Sequence, residues 1–304
     1  MSSFPPDGLS VRCANLDDVE EAAAIVRAEE VALRGKSNFG RADMLDFFRA
    51  SNLDDASWVV ERDQKPVGFA ACIERDAESM CWISVHPDAS GRGLSSWLVA
   101  RGEERALVVS SRTLRLGALA ENAAAERLFA AQGYREARHY FTMRINLDHE
   151  LELPVWPDGI GVATFRPEDA RAVHAALNEA FAEEWGWHSA PFEEWREHRL
   201  EAPHTDVTLW FIAWEGDEVA GVARCEDNRD GGGWVGAIGV RKPWRGRGVG
   251  RALLLHAFAE FGRRGDPHVG LGVDAENPTG ATRLYESVGM RMIKEDVIFE
   301  KELA

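Results

Sequence analysis

Apolar residues recur with a helical period over Val19–Ala32 and again over Ala170–Phe181. Each run follows an acidic start, Asp17-Asp18 in one case and Pro167-Glu168-Asp169 in the other, which suits the positive end of a helix. A short apolar stretch precedes each, Ser10–Cys13 and Val162–Phe165, and reads as a strand. Beyond each helix the pattern changes to paired runs around a polar break. Ser57–Glu61 and Val67–Cys72 flank Asp63–Pro66, while Leu209–Trp214 and Val219–Cys225 flank Glu215-Gly216-Asp217. Both predict hairpins. Two more apolar runs, ending at Val85 and at Val240, each break into a glycine-rich polar loop and then a helical pattern. A strand, a helix and a last strand close each half, the last strands being Tyr140–Ile145 and Val297–Leu303.

The chain is therefore a long internal repeat. Gly93 and Gly248 stand 155 residues apart, as do Asn122 and Asn277; Phe129 and Tyr285, like Gly133 and Gly289, stand 156 apart. Each copy is near the usual size of one domain. Pro154, Pro157 and Gly159 interrupt both periodicities, so the expected division is 1–150 and 158–304. Alternating strands and helices predict a three-layer α/β domain in each half.

The loop in the second half carries chemistry. Trp234–Val240 reads as a strand, Gly246, Gly248 and Gly250 alternate with Arg245, Arg247 and Arg251, and a helical pattern starts at once. Glycines let backbone N–H groups approach a ligand, and the first turn of a helix leaves such groups unpaired, so the stretch is a site for a phosphate or pyrophosphate. No Gly-Lys-Ser/Thr closes it, and Arg251 stands where a dinucleotide fingerprint needs glycine. Gly231, Gly233 and Gly236 match that fingerprint formally, but they precede a strand and read as a hairpin turn.

The spacing Arg245-x-x-Gly248-x-Gly250 after a strand resembles the coenzyme A pyrophosphate loop of the GNAT acetyltransferases. The downstream order Leu271–Asn277, Ala281, Leu284-Tyr285, Gly289-Met290 is similar to that family's strand, asparagine-bearing loop and tyrosine-bearing helix. The resemblance covers nearly the whole chain and implies two tandem folds. Each would have a mixed, mostly antiparallel sheet flanked by helices and splayed between its fourth and fifth strands. It also implies acetyl-CoA as cosubstrate, bound by Ile238, Gly239, Val240, the segment Arg245, Gly246, Arg247, Gly248, Val249, Gly250 and Arg251, and Asn277. The phenol of Tyr285 would protonate the leaving thiolate, while Asn277 would contact the pantetheine arm or fix its loop.

The two halves differ where this matters. Ser90 stands for Arg245, Ser95 for Gly250 and Phe129 for Tyr285, so the first half lacks the acid. It either keeps a cofactor through Gly91, Arg92 and Gly93 or serves a structural or substrate-shaping role. The fourth strand of the second half holds no carboxylate. The general base is then expected at Glu226 through a water, with Asp227, Glu184 and His188 as other candidates, unless the amine needs none.

Residues 181–195 hold three Trp, two Phe, one His and four Glu. Either these rings roof the core, or Glu184, Trp185, Trp187 and His188 bind a cationic or sugar-like acceptor. The stretch resembles tandem acetyltransferases grouped with mycothiol synthase, though nothing in it is diagnostic of that substrate. A non-catalytic acyl-CoA sensor is the alternative reading.

Formal charge is −16, which argues against nucleic acid and anionic membranes as partners. No apolar run approaches the roughly 20 residues of a membrane span, and MSSFPPDGLS lacks the features of a signal peptide. A cytoplasmic monomer or homodimer acting on a small-molecule amine is expected. No His, Cys and carboxylate cluster has metal-ligand spacing, so no metal is expected. Cys72 and Cys81 are close enough to pair, but all four cysteines read best as free thiols.

Overall fold

A computed structural model describes residues 5–303 other than 7, 76, 203, 204 and 230. The chain forms two compact units, residues 1–139 with 295–304, and residues 140–294. No described helix is long and apolar enough to cross a membrane.

In the first unit, strands β1 (Ser10–Arg12), β2 (Ser57–Arg62), β3 (Lys65–Arg75), β4 (Glu78–Val85) and β5 (Thr113–Leu119) follow one another in the sheet. All pairs are antiparallel except β4 with β5, which are parallel and in register only over Glu78–Cys81 with Thr113–Leu116. Beyond Cys81 the two strands part. Helix α1 (Val19–Arg34) starts after a box in which the Asp18 carboxylate accepts from Asn15 N–H, and it stops at Gly35 in the left-handed region. Its apolar stripe and α2 (Arg41–Ala50) cover one sheet face through Ile25, Met44, Phe48 and Phe69. Helices α3 (Leu94–Val108) and α4 (Ala123–Ala131) cover the other through Leu98, Val99 and Phe129.

The second unit repeats this plan. Its sheet runs β6 (Arg135–Asn146, from Tyr140 onward), β11 (His268–Asp274), β10 (Gly232–Val240), β9 (Glu218–Arg229), β8 (Trp210–Glu215), β7 (Ile160–Thr164). Helix α5 (Ala170–Phe181) and the short α6 (Phe192–Trp195) lie on one face over Trp210 and Ile212. Helices α7 (Val249–Arg264) and α8 (Ala281–Ser287) cover the other around Phe258, Phe261 and Leu271. Here β10 and β11 are parallel and paired only at Gly233–Val269 and Trp234–Gly270. Register shifts between Gly232 and Trp234 and between Val235 and Ala237 bend β10 away from its neighbour, as bulges do. The splay between fourth and fifth strands is thus present in both units. The glycine triplet at Gly231, Gly233 and Gly236 opens β10, with Gly231 in a left-handed turn.

The units differ from the expected halves in one respect. The last strand, β12 (Arg291–Glu302), pairs from Asp296 to Glu302 with β5 and completes the first unit. The part of β6 from Tyr140 to Asn146 pairs with β11 and completes the second. Each half thus ends in a strand of the other unit's sheet. The proline and glycine breaks at 154–159 mark where periodicity stops, not where strands pair.

The expectation of free thiols is corrected for one pair. The in-register hairpin sets Cys72 of β3 opposite Cys81 of β4 with Cα atoms 4.0 Å apart, and they are joined as a disulfide. Directly opposed antiparallel residues make this approach easy. Cys13 and Cys225 are free.

Candidate active site

The splay in the second unit opens a cleft of about 570 Å³. Its walls are Val235–Val240 of β10 and Leu271–Asp274 of β11. Its ends are the loop before α7 and the segment from Asn277 to Tyr285. Strand β10 alternates. Arg241 N–H donates to Ala220 O of β9, so the N–H groups of Val240 and Ile238 point the other way, into the gap that β11 has left. These donors, at the throat of the cleft, have no partner among the described residues.

The glycine loop supplies more. Gly246 and Gly248 adopt φ of +74° and +92°, which lets the chain turn directly from strand into helix. The first intrahelical bond is Ala252 N–H to Gly248 O, so the N–H groups of Val249, Gly250 and Arg251 are left for a ligand. Gly250 also serves packing: a Cβ there would stand 3.2 Å from Leu284 Cδ2 of α8.

The arginines of the loop are already engaged. Arg245 donates to Val240 O (3.1 Å) and Ala180 O (3.0 Å) and reaches Glu183 at 3.2 Å. Its guanidinium braces β10 and the loop against α5, rather than standing free for a pyrophosphate as the sequence suggested. Arg247 is held by Glu215 (2.7 Å) and does not line the cleft; Arg251 does, and forms a two-pronged pair with Glu152. The guanidiniums hold the carboxyls of Glu215 and Glu152 below their ordinary range.

Tyr285 lines the cleft and is otherwise buried, 6% exposed. Burial first, then the nearby Glu184 carboxylate, push its phenol well above the ordinary tyrosine range. It stays protonated at neutral pH and has no hydrogen-bond partner among the described residues. Both ends of the Asn277 amide are engaged: Oδ1 accepts from Thr279 N–H (2.9 Å), and Nδ2 donates to Glu184 Oε1 at 2.8 Å. Of the two roles expected for Asn277, its contacts are those of loop fixing. Burial raises the Glu184 carboxyl, and Asp274 adds to this.

Of the expected acceptor residues, Glu184 and Trp185 line the cleft. Trp187 does not; it stacks behind Phe181 with centroids 4.9 Å apart. His188 is exposed, its Nδ1 against Gly186 O at 2.8 Å. Phe192 and Trp195 pack on His174 and the core, so those rings are roof. Glu226 does not line the cleft either. It is held by Arg224 (2.6 Å) and Arg229 (3.0 Å) beneath Gly236, where a Cβ would stand 2.7 Å from its Oε1. Although its burial opposes ionisation, the guanidiniums hold its carboxyl below the ordinary range, which makes it a weak proton acceptor.

Two features escaped the sequence reading. Tyr140 lines the cleft from β6, which a reader of the chain assigns to the first half. The Glu184–Asn277 bond has a twin in the first unit, where Asn122 Nδ2 donates to Glu29 Oε1 at 3.0 Å. The signal was there: Glu29 and Glu184 are also 155 residues apart.

Gly239 limits how α5 sits. A Cβ at Gly239 would meet Ala180 Cβ at 2.8 Å and Phe181 Cε2 at 3.3 Å. Gly239→Ala is therefore expected to destabilise the protein by about 1–3 kcal/mol, seen as a lowered Tm. An unchanged Tm would show that α5 yields freely.

The fold, the splayed strands and the glycine loop together are those of an acyltransferase that takes its acyl group from acyl-CoA. Residues 170–290 match the acetyltransferase (GNAT) family and residues 54–136 an acetyltransferase (GNAT) domain. A mycothiol acetyltransferase of Thermobispora bispora is 35% identical over 241 residues, 77% of this chain and 79% of that protein. A GCN5-related N-acetyltransferase from Sphaerobacter thermophilus superposes with a TM-score of 0.85 at 32% identity, over 98% of this chain and 97% of that one. A tandem GNAT protein from the clavulanic acid biosynthesis pathway shares the fold, with a TM-score of 0.75 at 18% identity over 97% and 98%. The chain belongs to the GNAT acetyltransferase family, as a tandem member similar to the mycothiol acetyltransferases. It is an acetyl-CoA-dependent N-acetyltransferase.

Proposed function

We propose that the second unit carries the chemistry and acetylates the primary amine of a small polar molecule. The observation that carries this is one cleft holding three things: unpaired β10 donors, the N–H groups of the first α7 turn, and the protonated phenol of Tyr285. The first unit has Phe129 in place of that phenol. The similarity to mycothiol acetyltransferases makes the amine precursor of mycothiol the first acceptor to assay.

The chain's own groups divide the work. The N–H groups of Val249, Gly250 and Arg251 hold the pyrophosphate of the cosubstrate. Val240 and Ile238 N–H polarise the thioester carbonyl and stabilise the oxyanion that forms when the amine attacks. Tyr285 gives its proton to the departing thiolate. Trp185 and Phe181 wall the acceptor end, and Asn277 keeps the loop before α8 in place.

Calorimetric titration with acetyl-CoA tests the assignment. One site per chain, lost when the second loop is altered, is the expected result. Binding that survives damage to the second loop and disappears with changes at Gly91–Gly93 would move the chemistry to the first unit.

A further inference from the structure

We propose that Glu184 is the carboxylate that takes the proton from the acceptor amine and passes it on to Tyr285. The proposal rests on the second-unit reading above and adds the base which that reading lacks.

The comparison between the two units carries it. In the first unit both oxygens of the Glu29 carboxylate are engaged: Asn122 Nδ2 donates to Oε1 and the Ser84 hydroxyl donates to Oε2. In the second unit Asn277 holds Glu184 Oε1 in the same way. At the position of Ser84, again 155 residues on, stands Gly239, which has no hydroxyl. Glu184 Oε2 is left without a hydrogen-bond donor among the described residues, in a side chain that lines the cleft. The unit that keeps the phenol is the one that leaves its carboxylate open. The unit that has lost the phenol, with Phe129, has its carboxylate saturated.

Glu226 is in the opposite state, with a guanidinium on each oxygen. The groups that face Glu184 are Asn277, Asp274, Arg245 and Tyr285. Burial and Asp274 raise its carboxyl and outweigh Asn277 and Arg245, which lower it, so it is a stronger base than an exposed glutamate.

The steps balance. The amine nitrogen forms a bond to the thioester carbon, and one N–H proton goes to Glu184 Oε2. The carbon–sulfur bond breaks, and sulfur takes the Tyr285 proton. The proton on Glu184 then restores the phenol. The chain ends as it began, and the net change is amine plus thioester to amide plus thiol.

The test compares Glu184→Gln, Glu184→Asp and Glu226→Gln, following thiol release from acetyl-CoA with glucosamine as the amine. Glu184→Gln keeps an oxygen for Asn277, so the fold is preserved, and its kcat is expected to fall by about 100-fold or more with acetyl-CoA affinity unchanged. The acid-side fall in kcat/KM should disappear with it. Glu184→Asp should restore part of the activity, and Glu226→Gln should keep the acid-side fall. A Glu184→Gln enzyme within about threefold of the parent, or an acid-side fall lost in Glu226→Gln instead, would overturn the proposal. A second readout needs no turnover. The 13C carboxyl resonance missing from Glu184→Gln should titrate above the ordinary glutamate range and move when Tyr285 is changed to Phe. A resonance that titrates normally and ignores Tyr285 sinks the proposal even if glucosamine is no substrate. Failure of every amine with the parent enzyme would instead count against the second-unit reading.

Discussion

Changing Tyr285 to Phe is expected to lower kcat by about 100- to 1000-fold, with acetyl-CoA affinity within about twofold of the parent. The ring packs between α8 and the core and is 6% exposed, so Phe fills the same volume and the fold is kept. What disappears is one proton. The phenol is held protonated by burial and by the Glu184 charge, so at neutral pH it is an acid and not a base. Without it the thiolate must leave unprotonated or find water in a mostly apolar cleft. Steady-state kinetics with calorimetry on the same sample decide the matter. A kcat unchanged in Tyr285→Phe would make the phenol a packing group and return the acid step to solvent.

Arg245→Glu is the second large effect. The guanidinium joins Val240 O of β10, Ala180 O of α5 and the Glu183 carboxylate. A glutamate leaves both carbonyls without this donor and sets a negative charge beside Glu183, at about 1–3 kcal/mol for each group left unpaired. The strand end, the helix end and the glycine loop then lose their common brace. Acetyl-CoA binding is expected to weaken at least about 30-fold, roughly 2 kcal/mol, and Tm to fall with it. Ser90, at the matching place in the first unit, is exposed, and its hydroxyl donates to His86 O at 3.4 Å, so Ser90→Glu breaks no brace of this kind. Its effect on affinity should be less than about threefold, on the scale of a surface change. Equal losses at the two positions would show that both loops hold the cosubstrate.

The repeat and the glycine loop were legible because each rests on local chemistry, whereas the splayed strands were expected only from the resemblance to the GNAT family. Alternating apolar residues mark strands, glycines mark left-handed turns, and the second copy confirmed the first. Tyr285, Asn277, Trp185 and most of the loop come together in one cleft, as their order in the sequence suggested. What could not be read is what depends on pairing at a distance. The hydrogen bond of Asn277 to Glu184 spans 93 residues. The engagement of Arg245 and Glu226 depends on partners no spacing reveals. The contribution of Tyr140 depends on which sheet β6 joins. The stacking of Trp187 on Phe181, outside the cleft lining, is likewise a matter of how the loop folds back, not of composition.

The placement of the last strand also sets an order for synthesis. Residues 296–302 form the strand beside β5, so the first unit lacks that strand until those residues leave the ribosome. The edge of β5 stays open until then, and open edges invite pairing with other chains. The second unit, residues 140–294, is contiguous and can close first. In this protein the carboxyl-terminal unit should become native before the amino-terminal one. A chain stopped short of residue 295 should show its damage at the amino-terminal end.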